Sequence, residues 1–127
     1  MELAKIKHIG LNYQDRNILM LQFIVDYEHG ATQNIFGGLV LDDAIKDSKG
    51  NYYRQGTSFG CEIIRLILDA LKINDLSEGK GKYIYVLGEG EGLSFKPKGF
   101  KTLYVDGDQK KIIIDEVIKK MYKKDNK

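Results

Sequence analysis

The chain has 127 residues, of which 43% are hydrophobic and 30% charged, a balance near that of ordinary globular domains and one that excludes wholesale disorder. One hydrophobic core is the usual answer at this length, so we read a single domain over residues 1–127. Lys and Arg number 20 against 18 Asp and Glu, a net of +2, too even to announce a nucleic-acid binder on total charge.

No apolar run approaches the length of a membrane span, and the start, Met-Glu-Leu-Ala-Lys, has no basic stretch leading into an apolar one, so neither a membrane nor a secretory leader is expected. The one cysteine, Cys61, has no internal partner, which fits a reducing, cytoplasmic setting. With two histidines beside it, soft ligands are too few for a structural zinc site, and we expect neither a metal nor a cofactor.

Residues 2–13 alternate loosely and predict a strand, with Leu3, Ile9, Leu11 and Tyr13 on one face and Ala4 and Ile6 on the other. Gln14-Asp15-Arg16-Asn17 is turn chemistry. Residues 18–27 predict a second strand with Leu19, Leu21, Phe23, Val25 and Tyr27 pointing inward. A turn at Glu28-His29-Gly30 leads into a third strand over 32–41, interrupted at Gly37-Gly38, where a bulge or a close approach is expected. Short connections make these three an antiparallel meander. Leu41-Asp42-Asp43 follows beside a turn, and Asp47-Ser48-Lys49-Gly50 reads as an exposed loop.

Residues 57–72 predict the main helix, N-capped by Thr57 or Ser58, with a polar stripe of Glu62, Arg65, Asp69 and Lys72. So much of the rest of its girth is apolar that self-association into a homo-oligomer is expected. Cys61 reads as a small core residue. A strand follows over 83–87, then the glycine-rich Gly88-Glu89-Gly90-Glu91-Gly92, an extended 95–99 whose Pro97 argues for an edge, and a short strand over 101–105. Residues 112–122 predict a C-terminal helix, with 112–114 open to either strand or helix. The fold class is therefore α+β: an antiparallel sheet of about five or six strands packed by one main helix, plus a C-terminal helix.

The best candidate for chemistry is Arg54-Gln55-Gly56-Thr57-Ser58-Phe59-Gly60, where helix-start amides, two hydroxyls and an arginine could receive an anion. The glycine spacing is wrong for a P-loop. Tyr52 and Tyr53 beside Arg54 add stacking surfaces, so Arg54, Thr57 and Ser58 on phosphates, Gly56 in the turn and Tyr52 or Tyr53 on a base form the expected ligand set. Glu89 and Glu91 would repel a phosphate and suit contact with a basic partner protein. Neither Asp42-Asp43 nor Asp106-Gly107-Asp108 has full calcium-loop spacing, and no nucleophile–base pattern surrounds His8 or His29. From Lys110 to Lys127 there are seven lysines against three acids, which suits a solvated helix face near a negative C-terminus. Lysine rather than arginine argues against sequence-specific DNA recognition.

Three stretches together resemble small phage- and prophage-encoded proteins of unassigned function. They are Phe36-Gly37-Gly38 with Leu41-Asp42, Gly56-Thr57 with Phe59-Gly60, and Glu89-Gly90-Glu91-Gly92 followed by Lys96-Pro97. That group carries a tryptophan after the last run, where this chain has Leu93. The resemblance implies a phage context. With it, the residues lead us to expect a non-enzymatic protein that counters a bacterial defence in the host cytoplasm by sequestering a nucleotide-derived immune signal. The alternative is an anti-CRISPR-like protein that blocks a defence protein by direct contact. A small nucleotide hydrolase or nuclease is a third class, and an enzyme is not favoured.

Overall fold

A computed structural model of the chain describes residues 1–15, 17–91, 94–104 and 107–125. Arg16, Gly92, Leu93, Val105, Asp106, Asn126 and Lys127 lie outside the described residues, as do the side chains of Lys123, Lys124 and Asp125.

The fold is α+β. Its elements are β1 (Glu2–Gln14), β2 (Ile18–Tyr27), β3 (Thr32–Asn34), β4 (Leu39–Val40), β5 (Asp42–Lys46), β6 (Tyr52–Gly56), α1 (Ser58–Leu71), a 3-10 turn (Leu76–Gly79), β7 (Tyr83–Glu89), β8 (Lys96–Thr102), β9 (Lys111–Ile113) and α2 (Ile114–Asp125). The main antiparallel sheet has the order β3-β2-β1-β7-β8-β9, with β4 also on β2. The expected third strand is thus β3 plus β4, both on one edge of β2, broken where Gly37 (φ 60) and Gly38 (φ 89) take left-handed backbone.

One extra residue in β1 decides what is buried. Ile6 pairs with Val25 but His8 pairs with Ile24, so Lys7 is bulged out of the ladder. The bulge inverts the alternation midway. Ala4 and Ile6 before it and Ile9 after it all face the core, at 0%, 1% and 3% exposure. Strict alternation had set them on opposite faces. Leu11 and Tyr13 continue on the core-facing side yet stand exposed, because the hairpin outruns the elements that cover it.

Residues 42–56 form a second, two-stranded sheet, β5 with β6, that no strand reading anticipated, and the expected loop at 47–50 is the turn between them. Nearly every position on these strands is exposed or half-exposed, so no apolar alternation marks them. Among the described residues 94–104 there is a single strand, β8. It lies between β7 and β9, but β9 spans only Gly99 to Lys101, so Pro97 sits past its reach and pairs with Gly88 alone. Ile112 and Ile113 close the sheet as strand, and the helix starts at Ile114.

Both helices bear on one face of the main sheet. Helix α1 buries Gly60, Ile63, Ile67, Ala70 and Leu71 and ends where Lys72 turns left-handed, its N–H reaching back to Asp69 O and Leu68 O. Val117 and Met121 of α2 complete the core around Phe23 and Phe100, whose rings lie 5.1 Å apart. Cys61 is exposed, contrary to the core position expected, because the first turn of α1 presses Gly60 inward and leaves Cys61 facing out.

The tightest fit in the fold is Gly60 against Leu41, where a Cβ would stand 2.4 Å from Leu41 O. Gly60→Ala should therefore lower stability by about 1–3 kcal/mol in urea titrations. Gly56→Ala, with nothing within 4 Å of its added carbon, should stay within about 0.5 kcal/mol of the native protein.

Candidate functional site

The chain leaves β2 at Asp42. Leu41 N–H donates to Leu19 O at 2.9 Å as the last rung of the β4 ladder. The next acceptor is not a main-chain carbonyl but Asp42 Oδ2, which receives Leu19 N–H at 3.1 Å. A side-chain carboxylate thus finishes the edge of β2 while the backbone swings into β5. The Asp42 side chain is only 5% exposed, and a buried anion needs a partner.

Arg54 is that partner. It pairs through Nη2 with Asp42 Oδ1, and the same nitrogen donates to Asp42 O at 3.2 Å. Arg54 and Asp42 lie on one face of the β5–β6 hairpin, since Ala44 is opposite Arg54 and Asp42 opposite Gly56. The guanidinium holds the Asp42 carboxyl below the usual range, with the Leu19 amide adding to the effect against the cost of burial. Arg54 in turn is held more firmly protonated, first by its bond to Asp42 and further by the charges of Asp42 and Asp43. Its Nε is buried with no hydrogen-bond acceptor.

This corrects the expected anion site. An arriving phosphate would meet the Asp42 carboxylate already on the guanidinium, with Asp43 beside it. Thr57 is committed as well. Its Oγ1 accepts from Gly60 N–H at 2.9 Å as the N-cap and donates to Leu41 O at 2.9 Å, while Thr57 N–H donates to the same oxygen at 3.0 Å. The entrance of α1 is closed on that side by the Leu41 backbone. Ser58 is exposed in the first turn.

The tyrosines split between faces. Tyr52 shares the face of Arg54 and is 71% exposed, with Lys46 Nζ 5.9 Å from its ring centre. Tyr53, 49% exposed, takes the other face. A cleft of about 510 Å³ opens beside the ion pair, lined by Tyr13, Asn17, Leu19, Asp42, Arg54 and Gly56. The sequence reading placed Tyr13 on one face of β1 and saw no site there; its place at this cleft follows from the length of the β1–β2 hairpin. Glu89 and Glu91 are exposed, but at the other end of the molecule. Glu2 pairs with Val86, so Glu89 lies past the start of β1 while Tyr13 lies at its end, a separation of about 40 Å for thirteen extended residues. The two sequence-derived sites are therefore separate surfaces.

A second concavity of about 350 Å³ went unnoticed in the sequence. It lies at the C-terminal end of α1, with Ala70, Leu71 and Leu103 for walls and Lys72, Lys82 and Lys110 at its rim. Asp108 bridges Lys72 at 3.5 Å and Lys110 at 3.6 Å. Compared with known protein families, with characterised proteins and with solved structures, the chain matches none. No helix among the described residues is long and apolar enough to cross a membrane.

The depressed Asp42 ionisation has a signed consequence. Its folded pKa is below its unfolded one, so its contribution is complete above the unfolded value and is lost as pH falls through the folded value. Thermal melts should hold level down to about pH 4 and then fall. Asp42→Asn should melt several degrees lower near neutrality and show a shallower acid loss. Asp75, also held low, first by the Ser77 hydroxyl, adds loss of the same sign, so Asp75→Asn is the comparison that isolates Asp42.

Proposed function

We propose that the chain is a non-enzymatic binding protein that acts by direct contact with another protein, and that it counters a bacterial defence in the cytoplasm of an infected cell. The defence setting rests on the resemblance to phage-encoded proteins. The choice of contact over signal trapping rests on the ion pair: the arginine that would grip a phosphate is neutralised by a buried carboxylate.

What surrounds that pair suits a protein surface. Tyr13 lines the cleft with the half-buried arginine and Tyr52 shares its strand face, each 71% exposed, while Leu11, two residues before Tyr13 on the same face, is 47% exposed. Exposed tyrosines beside a fixed arginine have the composition of interface hot spots, where few residues carry most of the affinity. The arginine's charge is already met by Asp42, which lowers the cost of desolvating it on docking. Self-association belongs to this proposal too, through the half-buried α1 flank of Ile64 and Leu68.

Phage plaquing on bacteria carrying defined defence systems tests the role. A system neutralised by the native chain should regain activity with Tyr13→Ala/Tyr52→Ala, and the co-purifying defence protein should be lost, at about tenfold or more in affinity. Glu89→Lys/Glu91→Lys should leave both unchanged. A nucleotide released in equal molar amount from boiled native protein would return the reading to signal trapping. Light scattering should give a dimer mass or larger, and a monomer at high concentration removes self-association.

A further inference from the structure

With both helices on one side, the other face of the main sheet is open, and its side chains form a grid. The register places Leu3, Tyr85, Lys101 and Lys111 in one row across β1, β7, β8 and β9, and Lys5 and Tyr83 in the row beside it. Their neighbours Ala4, Ile84, Val86, Phe100 and Ile112 are all buried, which directs the grid outward. Tyr83 is 47% exposed, Lys5 and Lys111 are exposed, and Tyr85 and Lys101 are half-buried.

We infer that this face binds single-stranded nucleic acid without sequence preference, the tyrosines of β7 stacking on bases and the lysines of β1, β8 and β9 holding phosphates. Tyr83 and Tyr85, two residues apart on one strand, are spaced by about 6.6 Å, roughly twice the step of a stacked strand. They therefore fit splayed bases and not a duplex. Lys5 Nζ lies 6.0 Å from the Tyr83 ring centre and Lys101 Nζ 5.7 Å from that of Tyr85. At the outer limit of cation–π attraction, each ammonium can swing to a phosphate at small cost. The acid in register with this patch, Asp26 across from Lys5, already accepts the Thr32 hydroxyl at 2.5 Å.

Charge selects this occupant over a second copy of the chain. A two-fold contact through the same face would press one lysine-bearing patch against an identical one. The face is opposite the one that carries the Arg54 cleft, so the inference stands apart from the proposed function.

Fluorescence anisotropy with labelled oligothymidylate and oligouridylate of about a dozen nucleotides tests it, at about 50 mM and about 200 mM salt. Both probes should bind, more weakly at the higher salt. Tyr83→Ala and Tyr85→Ala should each weaken binding at least about fivefold, while Tyr→Phe at either site keeps it, which separates stacking from folding. Lys5→Gln/Lys101→Gln/Lys111→Gln should lower the log–log salt slope by roughly 2. Four results would overturn the inference: no binding by the native chain, equal affinity for duplex, equal competition by polyglutamate, or loss of binding in Lys119→Gln/Lys120→Gln with the tyrosine variants unaffected.

Discussion

A carboxylate that replaces a backbone carbonyl at the edge of β2 organises the junction on which the smaller sheet and α1 depend. Asp42 can complete the ladder at Leu19 only from a buried position, and a buried anion is tolerated only with a cation beside it. Arg54 must therefore come back to it, which fixes the register of β5 on β6. That hairpin delivers Thr57 to Leu41 O and starts α1. Gly60 then lets the helix backbone touch Leu41. Each step is forced by the one before it.

The glycine-containing stretches singled out in the sequence meet at these constraints. Gly37 and Gly38 turn the chain between β3 and β4, and Leu41 and Asp42 make the junction. Thr57 and Gly60 receive it. At the other end Gly90 has a φ of 90 with Ser94 O where a Cβ would stand, and Gly88 is pressed against Lys96 O. Residues held for such reasons transmit a fold.

Much of this fold was legible because its strongest signals are local. Alternation over 18–27 gave β2, the Gly37-Gly38 pair gave the broken strand, and Thr57 gave the start of α1. What failed was non-local or cancelled in the pattern. The Lys7 bulge inverts the faces of β1 and leaves no mark on composition. The β5–β6 hairpin buries almost nothing except Asp42, so hydrophobic periodicity had nothing to report, and its register is set by one ion pair across 12 residues of chain. The same pair explains the misplaced anion site. A lone arginine before a helix looks free in sequence because the acid that occupies it is four residues past a glycine pair, on a strand that was not seen.

Total charge is silent on any single face in a similar way. A net of +2 reflects acids and bases summed over the whole surface, whereas a ligand meets one face at a time. The register brings Lys5, Lys101 and Lys111 together on three strands far apart in sequence, and the nearest acid is engaged with Thr32. Open antiparallel faces are ordinarily polar, yet this one sets Tyr83 and Tyr85 on its middle strand, flanked by Leu3. Aromatic rings left in water across the sheet from a well-filled core, where both helices already serve the other face, are not explained by folding. A partner with flat apolar faces and negative charge between them accounts for the rings and for the lysines around them at once.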